Sequence, residues 1–307
     1  MRELIVGTRE SKLAMIQTNY IINQLNKLKV ENPIKIRKIA TKGDKILNVA
    51  LDKVGGTGIF IKDLETLLRN KEIDFAVHSM KDLNPKMDED FVIAAVPERE
   101  DPRDAFISRN HIKLADLKPG AVIGTSSARR GAQIKAIRPD VETKWIRGPI
   151  DSRIEQLNNG DFDAIILAVA GLNRMNLSKE VITEYLDINR FVPSVAQGAL
   201  AIQCRKDDKE LINILKLLNN PLAEKATQAE RYTLSLLDED ERAPIGVYAF
   251  YEDNQVTIHA AIASLEGTLL LNYAATGENY QEVAQKVANE LIKQGALTII
   301  ETSKQGL

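Results

Sequence analysis

Arginines stand directly after apolar stretches at four places in this chain. Arg9 follows ELIVGT, Arg129 and Arg130 follow AVIGTSSA, Arg147 follows TKWI, and Arg174 follows DAIILAVAGLN. A guanidinium fork pairs bidentately with a carboxylate or phosphate, so several forks at one opening suit a small molecule carrying several acidic groups. HSMKD, after the apolar DFAV, adds Lys81 and Asp82. An aspartate among arginines has its charged form stabilised. It can then hold a cationic intermediate or pass a proton to a departing amine, or it can simply cap the segment that follows. Gly55, Gly56 and Gly58 in KVGGTGIF allow backbone N–H groups to approach an anion, or form a flexible connection. They match neither the dinucleotide fingerprint nor the Walker pattern.

These residues need elements to aim them. RELIVG reads as a strand, and SKLAMIQTNYIINQLNKL as a helix with apolar residues three and four apart, capped by Thr8 or Ser11. KIRKIAT is the next strand, FIKDLETLLRNKE the next helix and DFAVHS a third strand. A second unit begins near EREDPRDAFIS and repeats the pattern with AVIGT, SSARRGAQIKAI, TKWI, SRIEQLNNG and DAIILAV. The alternation predicts a largely parallel, doubly wound α/β sheet in each unit, whose strand carboxyl ends open onto a ligand crevice. From about Asn219 a helix across AEKATQAERYTLSLL, strands in GVYAFY, QVTIHAAIA and LLLNYAAT, and a helix across YQEVAQKVANELIKQG predict a small α+β domain. Two α/β domains facing each other across a cleft, with a C-terminal third, are expected.

The bulk properties narrow the function classes. With 307 residues there is room for two or three domains. A net charge of −2 provides no global basic field for nucleic acid, so the arginine signal is local. No apolar run approaches signal-peptide or membrane-span length, which points to the cytoplasm. The single cysteine, Cys204, cannot form an internal disulfide, and His78, His111 and His259 lie far apart without ligand spacing, so no metal site is expected. The expected partner is a small acidic molecule, bound by a monomer, without nucleic acid or membrane.

The segments VGTRESKLA, TKGDKI, KVGGTGIF, AVHSMKDL, PEREDPRDAFIS, GTSSARRGAQ, IRGPIDSR, DAIILAVAGLNR, AQGALAIQCR and PIGVYA together resemble the porphobilinogen deaminase (hydroxymethylbilane synthase) family of haem and tetrapyrrole biosynthesis. The resemblance implies two periplasmic-binding-protein-like domains, drawn here at 1–98 with 195–219 and at 99–194. It implies a smaller domain at 220–307 that carries a covalent dipyrromethane cofactor. It also implies a transferase that condenses porphobilinogen units head to tail with loss of ammonia. Carried over, Asp82 matches the catalytic aspartate. Arg9, Arg129, Arg130, Arg147, Arg153 and Arg174 match the arginines that receive the acidic side chains of cofactor and substrate, and Ser11, Lys81, Thr125 and Ser127 match neighbouring polar positions.

Departures fall in the same motifs. Where the family reads Gly-Gly-Cys-Gln-Val-Pro-Ile, this chain has Glu241 at the position of the cysteine that forms the thioether, followed by Arg242, Ala243, Pro244 and Ile245. A carboxylate cannot make that bond, so no covalently attached dipyrromethane is expected, and Cys204 reads as a small core residue. Thr57 replaces a usual lysine, Ala128 a leucine, Pro149 an asparagine and Ala196 a glycine, while Asn84 and Pro85 reverse the usual order. Pro149 fixes φ and removes a donor, and Ala196 is strained if its φ is positive. Asp238, Glu239, Asp240 and Glu241 form an acidic run that either stays solvated or pairs with Arg129, Arg130 or Arg153. Three readings follow: a working deaminase, a cofactor-less paralogue that binds acidic pyrroles or bilanes without polymerising them, and an anion-binding module for solute capture or sensing. A pure binder has no need of Asp82, which favours the first two.

Overall fold

A computed structural model describes residues 2–40, 61–84, 86–238 and 243–306. The glycine turn at 55–58 with Thr57, as well as Pro85 and residues 239–242 including Glu241, lie outside the described residues. The chain runs β1 (Leu4–Arg9), α1 (Lys12–Lys27), β2 (Ile34–Ile39), α2 (Lys62–Arg69), β3 (Phe75–Ser79), β4 (Phe91–Ala95), β5 (Asp104–Ser108), β6 (Val122–Gly124) and α3 (Ala128–Ile137). It continues with β7 (Glu142–Lys144), α4 (Ile150–Asn159), β8 (Ala164–Ala168), α5 (Val169–Arg174), α6 (Ser178–Val181), β9 (Glu184–Tyr185), β10 (Leu200–Arg205), α7 (Lys209–Leu215) and α8 (Pro221–Leu237). The last elements are β11 (Ile245–Glu252), β12 (Gln255–Ala263), β13 (Leu270–Gly277), α9 (Tyr280–Lys293) and α10 (Ala296–Gly306). It divides into two compact units, Met1–Glu100 with Gly198–Lys225, and Asp101–Gln197 with Ala226–Leu307.

In the first unit the sheet order is β2-β1-β3-β10-β4. β1 is parallel to β2 and β3, whereas β10 runs antiparallel between β3 and β4. Strand side chains alternate between faces, and both faces are covered. Leu4, Val6, Phe75, Val77, Ile202 and Cys204 pack with Ile21 and Leu25 of α1 and with Leu211 and Leu215 of α7. On the other face Ala76 and Phe91 pack with Leu64 and Leu68 of α2. Gly7 belongs to that second face, where a Cβ would come within 2.4 Å of the Ile73 side chain.

The second unit repeats the plan with order β7-β6-β8-β5-β9. β6 is parallel to β7 and β8, and β5 runs antiparallel to β8 and β9. α3 covers one face through Ile134 against Phe106, Ile123 and Ile166. α4 covers the other through Leu157 against Ile107, Ile165 and Leu167. The expected parallel sheets are therefore each interrupted by one antiparallel strand supplied from a distant stretch of chain.

The same unit holds an antiparallel sheet β11-β12-β13, as the alternating pattern after residue 219 predicts. Two close approaches seat it. Gly246 lies so near the chain that a Cβ would meet the Val192 carbonyl oxygen at 2.4 Å. Gly267, at φ +71, caps the β12–β13 hairpin against the backbone of Lys135 and Ala136 on α3.

Candidate functional site

In the first unit the polar residues gather at the carboxyl ends of β1 and β3. Arg9 ends β1, and Ser11 rather than Thr8 caps α1, its hydroxyl accepting from the Ala14 N–H at 3.4 Å. The end of β3 passes through Ser79 into a 3-10 turn, Met80–Asp82. That turn is fixed by the Met80 N–H donating to the Ala199 carbonyl at 3.0 Å and by Leu83 N–H donating to Met80 O at 3.1 Å. Buried Gln17 of α1 donates to Ser79 Oγ at 3.0 Å, tying the helix to the turn. Met80 points into the core, which leaves Lys81 and Asp82 half-buried at the strand end.

In the second unit Thr125 follows β6, its N–H donating to Lys144 O at 2.9 Å and its hydroxyl accepting from the Ser127 N–H at 3.2 Å. Ser127 caps α3 by accepting from the Arg130 N–H at 3.4 Å. Arg129 and Arg130 on the first turn of that helix both turn inward onto Asp104 of β5, which has no exposed surface. Arg129 Nη2 donates to Asp104 Oδ2 at 2.8 Å and Nη1 to Val192 O at 2.8 Å. Arg130 Nε donates to Asp104 Oδ1 at 2.9 Å and Nη1 to Ile166 O at 3.0 Å. Gln197 closes the group, its Nε2 donating to Asp104 Oδ1 at 3.0 Å.

Burial alone pushes the Asp104 carboxyl up. Arg129, Arg130 and Gln197 outweigh that effect and hold it at about 2. Burial also lowers the Arg129 guanidinium against the opposing pull of Asp104. Arg129 and Arg130 thus pair with Asp104, a residue of the DPRDAF segment, while Glu239, Asp240 and Glu241 of the acidic run lie outside the described residues. A fully buried carboxylate requires cations, but nothing local in the sequence says which ones reach it. Of the acidic run, Asp238 is described. It is buried, ion-paired with Lys304 at 2.8 Å, and accepts from the Ala243 N–H at 3.0 Å.

Arg147, Arg153 and Arg174 are half-buried. Arg147 follows β7, Arg174 ends α5, and Arg153 lies one turn into α4 with its Nε donating to Gly148 O at 2.8 Å. Burial, and then the neighbouring Arg130 and Arg147, lower Arg153 to about 10. Arg153 therefore stands in the positive field of Arg130 and Arg147, a field that favours an anion. Pro149 occupies the position before the first residue of α4, where no helical hydrogen bond needs its missing N–H. Ala196 does adopt a positive φ of +56, and its N–H donates to buried Glu230 at 2.6 Å.

The layered sheets define an α/β protein that carries arginines at the carboxyl ends of its strands. Residues 4–213 match the family profile described as "Porphobilinogen deaminase, dipyromethane cofactor binding domain". The chain belongs to the porphobilinogen deaminase family. It is 50% identical over 305 residues to the porphobilinogen deaminase of Oceanobacillus iheyensis, covering 99% of each chain. It is 49% identical over 301 residues to that of Bacillus cereus strain G9842, covering 98% of this chain and 97% of the relative. Among solved structures it is similar to the methionine binding protein MetQ, with a TM-score of 0.45 and 11% identity over 70% of this chain and 89% of that one.

Proposed function

We propose that this chain is a transferase of the hydroxymethylbilane synthase type, condensing porphobilinogen with release of ammonia. The observation that carries this is identity of about half the residues, end to end, with porphobilinogen deaminases. Asp82 at the end of β3 is the acid–base group. Its carboxylate guides the proton that leaves with the aminomethyl nitrogen as ammonia, and it stabilises the azafulvenium cation formed when the C–N bond breaks. In the first unit Arg9, with Ser11 and Lys81, and in the second unit Arg147, Arg153 and Arg174, with Thr125 and Ser127, receive acetate and propionate groups. Arg129 and Arg130, held on Asp104, supply positive field from behind. The protein works as a cytoplasmic monomer on a small acidic pyrrole, without nucleic acid or membrane. Among the described residues no helix is long and apolar enough to cross a membrane.

A covalently held dipyrromethane does not fit the residues present. Cys204 lies inside the first unit's core with no exposed surface, and burial, with Asp208 nearby, pushes its thiol up to about 12. A thiol in that state is no nucleophile, and Glu241 offers no sulfur. This favours a second reading, a cofactor-less paralogue that binds acidic pyrroles or bilanes without polymerising them.

One experiment separates the two. Purified protein is incubated with porphobilinogen while ammonia release and bilane formation, read as uroporphyrin after oxidation, are followed. Turnover with a denatured mass equal to the bare polypeptide supports the deaminase without an attached cofactor. Binding without turnover supports the paralogue. Glu241→Cys with Asp240→Gly then tests the remaining site: a gain of two pyrrole units in mass and of bilane formation locates the defect at the attachment position. An inert double variant places it in the other departures.

A further inference from the structure

The second face of the first unit's sheet carries a run of polar groups that the proposed reaction leaves unused. His78 of β3 is buried, and its Nε2 lies 3.0 Å from Oε1 of Gln203 on β10. Gln203, with no exposed surface, donates from its amide nitrogen to Glu65 Oε1 of α2 at 2.9 Å. The direction of this chain is fixed by chemistry. A carboxylate offers only acceptors, so Gln203 must turn its NH2 toward Glu65 and its carbonyl toward His78. The carbonyl can only accept, so the imidazole must carry a proton on Nε2. Burial lowers His78 to about 4 against the opposing pull of Gln203, and nearby Arg9 lowers it further. The ring is uncharged at neutral pH, so with the proton on Nε2 its Nδ1 is bare.

Arg9 stands next to this ring by register. β1 and β3 are parallel, with Val6 opposite Phe75 and Gly7 opposite Ala76. Two residues further along each strand are Arg9 and His78, on the same face as Gly7 and Ala76. A charged imidazole there would repel the guanidinium, and an uncharged ring with one bare nitrogen does not.

We propose that His78 is a positioning residue for Arg9: the chain from Glu65 through Gln203 holds the imidazole as the uncharged Nε2–H tautomer beside the guanidinium, so a carboxylate on α2 sets which ring nitrogen carries the proton next to Arg9. The role of Arg9 in receiving a substrate carboxylate rests on the function proposed above, whereas the tautomer does not.

The test inverts the chain from its outer end. In Glu65→Lys the ammonium donates to Gln203, whose amide turns over and now donates to Nε2 of His78, moving the ring proton to Nδ1. Nitrogen-15 spectra of the imidazoles, assigned with His78→Gln, read the tautomer directly. Wild-type protein is expected to show a protonated Nε2 and a bare Nδ1 at pH 7, and Glu65→Lys the reverse, with Arg9 Nε–H exchange about tenfold faster. Porphobilinogen binding, measured by calorimetry, should weaken about tenfold in Glu65→Lys. This is opposite in sign to the simple gain of positive charge. An Nδ1–H or charged ring in the wild type, a tautomer unmoved by Glu65→Lys, or a switched tautomer with unchanged Arg9 exchange each overturns the proposal. Failure of wild-type protein to bind porphobilinogen would instead sink the function proposed above, with the tautomer and exchange results still deciding this one.

Discussion

The two α/β sheets share one plan and solve one problem in opposite ways. In each, a single antiparallel strand enters beside the third parallel strand and brings a fully buried polar side chain. β10 brings Gln203, which links His78 to Glu65 without any charge in the middle of the chain. β5 brings Asp104, which gathers two guanidiniums onto one carboxylate. The neutral arrangement fixes a tautomer, and the ionic one fixes two long side chains. The difference shows that topology sets where a polar group is buried, while the residue type decides whether the result is a relay or an anchor. It also separates the arginines into two kinds: Arg129 and Arg130 serve the interior, and Arg147, Arg153 and Arg174 remain at the strand ends.

This contrast can be broken most severely at Asp104. Asp104→Leu leaves two buried guanidiniums without their counter-charge and should cost about 3–5 kcal/mol, read as a lower urea midpoint with early loss of the second unit. Gln203→Leu leaves the buried His78 N–H without its acceptor and half-buried Glu65 without its Gln203 donor, and should cost about 1–3 kcal/mol. The two regions should also respond to acid in separate windows. His78 is lowered from 6.5 to about 4, so below pH 6.5 the unfolded chain takes up a proton that the folded one refuses, and this stability fades as pH falls toward 4. Asp104 is lowered from 3.8 to about 2; its contribution is complete above 3.8 and is lost as pH falls through 2. Urea titrations from pH 7 to pH 3 should show the first window in wild-type protein and not in His78→Gln.

A smaller effect separates the two kinds of arginine. Arg174→Ala should weaken porphobilinogen binding about tenfold, one charge-assisted pair, with little change in the urea midpoint. The smallest concerns Ala196. Ala196→Gly relieves the positive φ and should stabilise the second unit by about 1 kcal/mol, seen as a small rise in midpoint with binding unchanged.

Much of this was legible in the residues. β1, α1, β2, α2 and β3, and their counterparts β6, α3, β7, α4 and β8, each pair an apolar run with a helical repeat, and local pattern is enough to read them. β5 and β10 escape a local reading because DAFIS and LAIQCR are short runs with no helical repeat beside them to mark a strand–helix unit, and the strands they pair with are remote in sequence. The same remoteness hid the anchor. Arg129 and Arg130 announce a need for an anion, but only the crossing of β5 beside β8 reveals that Asp104 meets it. Gln203 was invisible for a further reason, since an amide between two strands carries no charge pattern that a sequence reader would notice.

The order in which the strands are made gives the two sheets different histories. Asp104 has already been synthesised when Arg129 and Arg130 leave the ribosome, so the second unit's anchor closes over a short wait. β3 and β4 must remain without the strand between them until β10 appears about a hundred residues later, roughly 5–20 s at ordinary elongation rates. Over that interval the first unit is an open sheet with an unpaired edge at β3. Of the two α/β sheets it is therefore the first, though begun first, that is completed last, and during biosynthesis it has most need of protection from its neighbours on the polysome.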